Sequence, residues 1–541
     1  MTAASHLPFA QIDTRHPSAT MRVLPLYPPP VNRAPPSLPT LPTRPSSLAQ
    51  PFTNPEWTVS THVFPAAFPR TRAGSTRRRG APVVTRPTAR MPKEELDRAH
   101  VELFQRQRVA PEVTADTAQA AMDQQEQMWL CVNRYARSGA RAGGDGFTIV
   151  CCHATGLHKE VSVMRLDSLA MEADAISQTW EPALSSLVDN LPPGVAVDEI
   201  WSLDSLHQGD SALLNDGNIG DTSESPSASP QREVDPAASV ADDWLDYGRD
   251  AAAFVANYLP PAPAGTPPRI LPYHSAPKEL PERRIVGLGH SLGAAGIAVA
   301  ASLLPSLFTA LILVDGVMFP PSAVHADNHA PILAISKGAM SRKDQWPGRA
   351  EAEREMKAKK LFYGLWDPRV LSRFVEFALT DSASGVRLKT RKEDEAVSAS
   401  PVGSSPARLT ALVAARVRRS RTPGVVRCLL APTSLVARRQ GSLGLCRRQS
   451  DGPRVGPAGA LRRHWPLPHD AHRDRGRRAS SYPGEAGRPW EGDRTVSGAA
   501  GAAGEAVVLW MLGNATPRSA LISSSLRGVP TQFKPRKVLS D

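Results

Sequence analysis

Residues Arg284 to Gly296 constrain this chain more than any other stretch. The β-branched pair Ile285-Val286 climbs into Gly287-Leu288-Gly289-His290-Ser291-Leu292-Gly293, which passes into small helix formers from Ala298 to Leu304 before Pro305. Gly289-His290-Ser291-Leu292-Gly293 has the G-x-S-x-G spacing of a strained strand-to-helix turn that pushes a serine hydroxyl into a pocket. The two glycines have a mechanical job. Side chains there would collide with the neighbouring strand and helix, and so sharp a bend needs angles that glycine reaches cheaply. Ser291 is therefore the candidate nucleophile.

Composition limits what surrounds this bend. The chain has 541 residues and 52 prolines, which crowd the first ninety positions. Such a segment buries too little apolar surface to offset its ordering entropy, so residues 1–91 are expected to be a disordered Pro/Arg-rich arm. Net charge is +12, but residues 401–541 hold 24 Lys and Arg against 8 Asp and Glu, which leaves about −4 for residues 1–400. The basic character belongs to the tail. Stacking aromatics are sparse in both arms, which weighs against nucleic-acid binding. Five cysteines without C-x-x-C spacing read as free thiols. Met1 to Gln11 lacks an apolar signal core. Ile297 to Val314 is uncharged for 18 residues. Pro305 splits that run, so it reads as helix then buried strand, and no transmembrane segment is expected.

Along the chain, residues 92–145 read as a helical extension, with one helix from Pro92 and a second over 115–137 that places Met128, Val132, Tyr135 and Ala136 on one face. Residues 146–400 alternate strands and helices. Gly146 to His153 and Val197 to Leu203 read as buried strands, 215–240 as a loop, Ala241 to Leu259 as an amphipathic helix, and Ala310 to Val314 as another strand. That alternation predicts an α/β class with a mainly parallel sheet flanked by helices. Active groups then collect at the carboxyl ends of the strands, where His153, Asp204, Ser291 and Asp315 fall. Two helices over 349–379, with Glu353/Lys357 and Glu355/Lys359 pairs, fit a helical cap within 322–400.

Together, Cys151–Glu160 (CCHATGLHKE), Asp198–Leu214 (DEIWSLDSLHQGDSALL), Trp244–Asp250 (WLDYGRD), Gly289–Gly293 and Leu365–Leu379 (LWDPRVLSRFVEFAL) resemble a fungal branch of the α/β-hydrolases of AB hydrolase-1 type. That branch resembles the yeast peroxisomal lipase-like hydrolase and the hydrolases associated with fungal toxin biosynthesis. The resemblance covers roughly residues 93–395. It implies a serine hydrolase in which Ser291 is the nucleophile and the backbone amides of Thr155 and Leu292 form the oxyanion hole. His290, beside the serine, packs or lines the pocket. An acid and a histidine should follow Ser291 in chain order.

Two departures matter. Residues 161–178 lie where the family runs HKE almost directly into TWEP, and their ends have splice-site character, so they read as a retained intron or a lineage-specific loop. After Glu395 the resemblance stops. Residues 401–541 contain 22 Arg, two Lys and single Ile, Asn, Tyr and Phe residues, as a shifted reading frame would give. They read as a disordered or frame-shifted tail. No acid or histidine is identifiable there; His464, His469 and His472 read as solvated coil, and Asp315 is the fallback acid. A charged coil cannot fix metal ligands, so neither metal nor cofactor is expected.

The expected chemistry is hydrolysis of a small-molecule carboxylic ester or related acyl compound, incomplete if the base is missing. A carboxylate would be wanted at position 291 for epoxide opening. The alternative is a non-catalytic homologue that binds a small ligand. The expected location is cytoplasmic or peroxisomal, although Val538-Leu539-Ser540-Asp541 is not a peroxisomal address.

Overall fold

The computed structural model describes residues 23–29, 38–81, scattered positions within 95–103, 110–140, 146–161, 180–220, 243–260, 265–275, 283–316, 330–399 except 361, and the strand 507–511. All belong to one compact unit, Met1–Ala431 with Glu505–Asp541; the second unit, Pro432–Gly504, lies outside the described residues.

A seven-stranded sheet forms the centre. Its strands are β1 (Trp57–Pro65), β2 (Trp129–Arg137), β3 (Phe147–Cys152), β4 (Val197–Leu203), β5 (Arg284–His290), β6 (Phe308–Val314) and a last strand, Val507–Met511, in the order β1-β2-β4-β3-β5-β6-last. β1 and β2 are antiparallel to their neighbours, while β3, β4, β5, β6 and the last strand run parallel. β3 sits between β4 and β5, so the chain moves to one side of it from β3 to β4 and crosses to the other side from β4 to β5. A crevice opens at the carboxyl ends of strands at such a reversal.

Helices cover the sheet. α1 (Ala118–Gln124) precedes β2; α2 (Trp180–Asp189) and α3 (Gly209–Leu214) flank β4; α4 (Trp244–Ala253) and α5 (Leu292–Leu303) pack together. Every residue of α5 from Leu292 to Ser302 is buried, as its small apolar composition requires. The two helices touch closely because a Cβ on Gly248 would lie 3.0 Å from the Gly296 carbonyl oxygen. The 18-residue uncharged run is thus divided between α5 and β6, and among the described residues no helix is long and apolar enough to cross a membrane.

Five expectations need correction. Residues 115–137 are not one helix: α1 stops at Gln124 and β2 follows, with seven consecutive buried residues. Both faces of this strand are buried, Asn133 and Arg134 included, so its polar and apolar residues do not alternate and a helical spacing of apolar residues can be found in it by accident. Residues 38–81, expected to be disordered, supply β1, which pairs with β2 along its whole length. Its run Val59-Ser60-Thr61-His62-Val63-Phe64 was hidden in Pro-rich surroundings, and the following segment is fastened by charge. Asp246 on α4 accepts from Thr71 N (2.9 Å) and Oγ1 (2.8 Å), and Asp250 accepts from Ala67 N (2.8 Å) and Arg70 Nη1 (2.7 Å).

The region after residue 330 is not purely helical. It combines α6 (Ala330–Ser341), α7 (Arg349–Lys357), α8 (Pro368–Ala378) and α9 (Lys392–Ser398) with a three-stranded antiparallel sheet of Gln345–Trp346, Gly385–Leu388 and Leu379–Ser382. Neither expected helical pair forms: Glu353 makes no ion pair with Lys357 among the described residues, and Glu355 none with Lys359, which lies beyond the helix end at Lys357. Glu355 accepts from Lys343 Nζ (2.7 Å) and Trp346 Nε1 (3.1 Å) instead. Within 401–541 the apolar run Val507–Met511 contributes a strand; the rest of that tail, with His464, His469 and His472, lies outside the described residues.

Candidate active site

Ser291 stands at the end of β5 as the N-cap of α5, at φ 52° and ψ −114°. Positive φ is costly for a residue with a Cβ. The bend is held by its neighbours: Ser291 N donates to Val314 O (2.9 Å), and Ala294 N donates to Ser291 O (3.1 Å). The flanking glycines do what the sequence demanded of them. A Cβ on Gly289 would overlap the backbone of Gly293 and Ala294. One on Gly293 would overlap the Cys152 carbonyl and lie 2.6 Å from His153 O. The start of α5 therefore rests directly against the end of β3 and the turn that follows it.

That turn, His153-Ala154-Thr155-Gly156, is pinned from several sides. His153 N donates to Tyr247 Oη (3.0 Å), His153 Nδ1 lies 2.8 Å from Ala154 O, and His153 Nε2 accepts from Ser205 N (2.9 Å). Burial pushes the His153 imidazole down to about 3, so it is neutral. Both ring nitrogens are occupied, which makes His153 a fastener rather than a base. Gly156, at φ +78°, donates its N–H to Gln208 Oε1 (3.0 Å). Among the described residues neither the Thr155 amide nor that of Leu292, an orphan N–H at a helix start, has an acceptor.

His290 is buried, and burial pushes it down to about 4. Ser291 is half-buried, and its hydroxyl takes no hydrogen bond from or to any described residue. Asp315 lies at the tip of β6, exposed, at φ 46°. The register pairs His290 with Val314, so Ser291 and Asp315 are the next residues on adjacent strands.

Sequence reasoning missed a buried charge cluster behind the turn. Lys159 Nζ contacts Asp210 (2.5 Å), Glu160 (3.0 Å) and Asp204 (3.3 Å), and Lys389 Nζ reaches Asp210 at 2.6 Å. Asp204 also accepts from Lys159 N (2.7 Å) and Asp210 N (2.8 Å). Burial pushes the Asp204 carboxyl up to about 7 against the pull of Lys159. Cys131, Asp204 and Asp210 hold possible ligand atoms within 4.8 Å of one another, but the Lys159 ammonium already stands among the carboxylates. Only the sequence run HKE hinted at this cluster; its partners are distant in the chain.

No family model matches the chain. It is 25% identical over 265 residues to a type I acyl-CoA thioesterase of Penicillium brevicompactum, covering 48% of this chain and 47% of that protein. It is 28% identical over 108 residues to an abhydrolase domain-containing protein of Alternaria alternata, covering 20% of this chain and 38% of that one. The chain spans less than half the length of these relatives. Among solved structures it resembles the peroxisomal α/β-hydrolase Lpx1 of Saccharomyces cerevisiae, at 16% identity, TM-score 0.40 and coverage of 66% of this chain and 72% of that chain. With its mainly parallel sheet, its glycine-flanked bend and its similarity to these fungal proteins, the chain has the α/β-hydrolase fold.

Proposed function

We propose that Ser291 is an acyl-accepting nucleophile for small ester or thioester substrates. The observation that carries this reading is the strained, half-buried serine whose helix start abuts the 153–156 turn. Ser291 Oγ attacks the substrate carbonyl, its proton passing to a base. The amides of Thr155 and Leu292 stabilise the oxyanion, each such donor being worth about 2.7–4 kcal/mol. Collapse expels the alcohol or thiol, and water then releases the acid from the serine ester. His290 lines the site as a neutral group, and Asp315 is the acid that the described residues offer. The thioesterase relatives suggest the thioester half of the substrate class.

No described residue is hydrogen-bonded to the Ser291 hydroxyl as a base would be. Without one, only the oxyanion hole and binding remain, on the order of 10³–10⁴ over water. This favours a second reading, a hydrolase homologue that binds a small acyl ligand without turning it over. Fluorophosphonate labelling separates them. Labelling of the wild-type chain that disappears in Ser291→Ala supports the nucleophile; no labelling of a folded sample supports the binder.

A further inference from the structure

The segment between α7 and α8 presents apolar side chains to solvent. Phe362 is 59% exposed and Leu365 is 48% exposed, two of five such large hydrophobic residues among those described. Phe362 is held in place. Its ring lies edge-on to Tyr363 (4.7 Å between centroids) and tilted against Trp366 (5.5 Å). Trp366 in turn meets Phe374 at 5.3 Å. Below these rings the same apolar cluster includes Ala154 and Leu157, from the turn beside Ser291.

Charge defines the partner. Residues 357–366 contain Lys357, Lys359 and Lys360 and no acid. Of the acids closest in sequence, Glu355 accepts from Lys343 and Asp367 from Arg369, while Glu353, four residues before Lys357, forms no ion pair with it among the described residues. Lys357 and Lys360 are exposed and form no ion pair among the described residues. Aromatic and aliphatic side chains projecting beside uncompensated lysines suit an interface in which the rings enter the headgroup boundary while the ammoniums meet anionic phosphates. We infer that the 357–366 segment docks the protein on an anionic phospholipid surface, with Phe362 and Leu365 inserted and Lys357 and Lys360 on the headgroups. This holds whether or not Ser291 turns substrate over.

Sedimentation of the full chain with vesicles of phosphatidylcholine containing 30% phosphatidylserine tests it. The wild type is expected to bind these vesicles, to bind pure phosphatidylcholine weakly, and to lose binding as salt rises. Phe362→Ser with Leu365→Ser, and separately Lys357→Glu with Lys360→Glu, should each lower the partition by about tenfold or more at unchanged melting temperature, since each lysine near such a surface counts for roughly fivefold. Undiminished binding of both double variants overturns the proposal and assigns the affinity to the basic tail. Absence of vesicle binding by a wild type that forms concentration-dependent dimers through Phe362 also overturns it.

Discussion

The Ser291 amide donates to the Val314 carbonyl across 2.9 Å, tying the bend after β5 to the last residue of β6. Ser291 and Asp315, the residues beyond this tie, are the two non-glycine positive-φ positions among the described residues, at 52° and 46°. Such backbone costs about 1–3 kcal/mol per residue and persists only where its surroundings over-determine it. Ser291→Gly should therefore be more stable than Ser291→Ala by about 1 kcal/mol, with both unreactive to fluorophosphonate. Thermal melts of the pair decide this; equal melting temperatures would remove strain from the account.

Asp246 anchors the segment that follows β1. It is fully buried, accepts from Thr71, and pairs with Arg249 Nη1 (2.6 Å) and Arg70 Nε (3.4 Å). These guanidiniums hold its carboxyl below the usual carboxylate range despite burial. Removing one partner of a buried pair leaves uncompensated charge and costs about 3–5 kcal/mol. Asp246→Ala should lose that much in urea titrations and become sensitive to proteolysis within residues 66–81. A loss below about 1 kcal/mol would mean the segment is held by β1 alone.

What the sequence made legible divides along physical lines. The Ser291 bend, β3, β4 and α4 were readable because their signals are local: glycines at a sharp turn, apolar runs, helical periodicity. β2 was misread because it buries Asn133 and Arg134 beside its apolar residues, so no polar–apolar alternation marks it as a strand. The order of residues 38–81 depends on Asp246, Asp250 and the β2 edge, more than 60 residues away, and nothing within the segment announces it. The same applies to the turn after β3. Tyr247, Ser205 and Gln208 fasten it, and each is an ordinary residue until the fold brings it there.

Residues 161–178 interrupt a joint whose ends remain together. Glu181 N donates to Glu160 O at 3.3 Å although the two are far apart in sequence. With 161–178 removed, Thr179 and Trp180 would separate them, and this bond would become the i to i+3 bond of a β-turn. Glu181 would keep Arg44 Nη1 (2.7 Å), Arg373 Nε (3.0 Å) and Tyr135 Oη (3.0 Å) as partners. Deleting 161–178 should therefore leave a folded protein of equal or higher melting temperature, with Thr179 in the place of Val161. A collapse in solubility or a fall of more than about 4 °C would show the excursion to be structural.

Acid should weaken the protein through its buried imidazoles. His153 and His290 fold neutral, with burial pushing them to about 3 and about 4 from the usual 6.5. In the unfolded chain both bind protons below 6.5, so their contribution is complete above that pH and declines as pH falls toward the folded values. At pH 5 each removes about 2 kcal/mol. Asp204 acts in the opposite sense. Its carboxyl is raised to about 7 from 3.8, so its contribution is full below 3.8 and is lost as pH rises through 7. Going from pH 7 to pH 5, Asp204 offsets roughly one histidine, leaving a net loss of about 2 kcal/mol from these three groups. Replacing His153 with Gln removes one titrating ring and should flatten the remaining slope. Urea titrations at the two pH values, compared between wild type and His153→Gln, measure that difference directly. An unchanged slope in the variant would mean that His153 is charged in the folded protein and that Ser205 N does not donate to its ring.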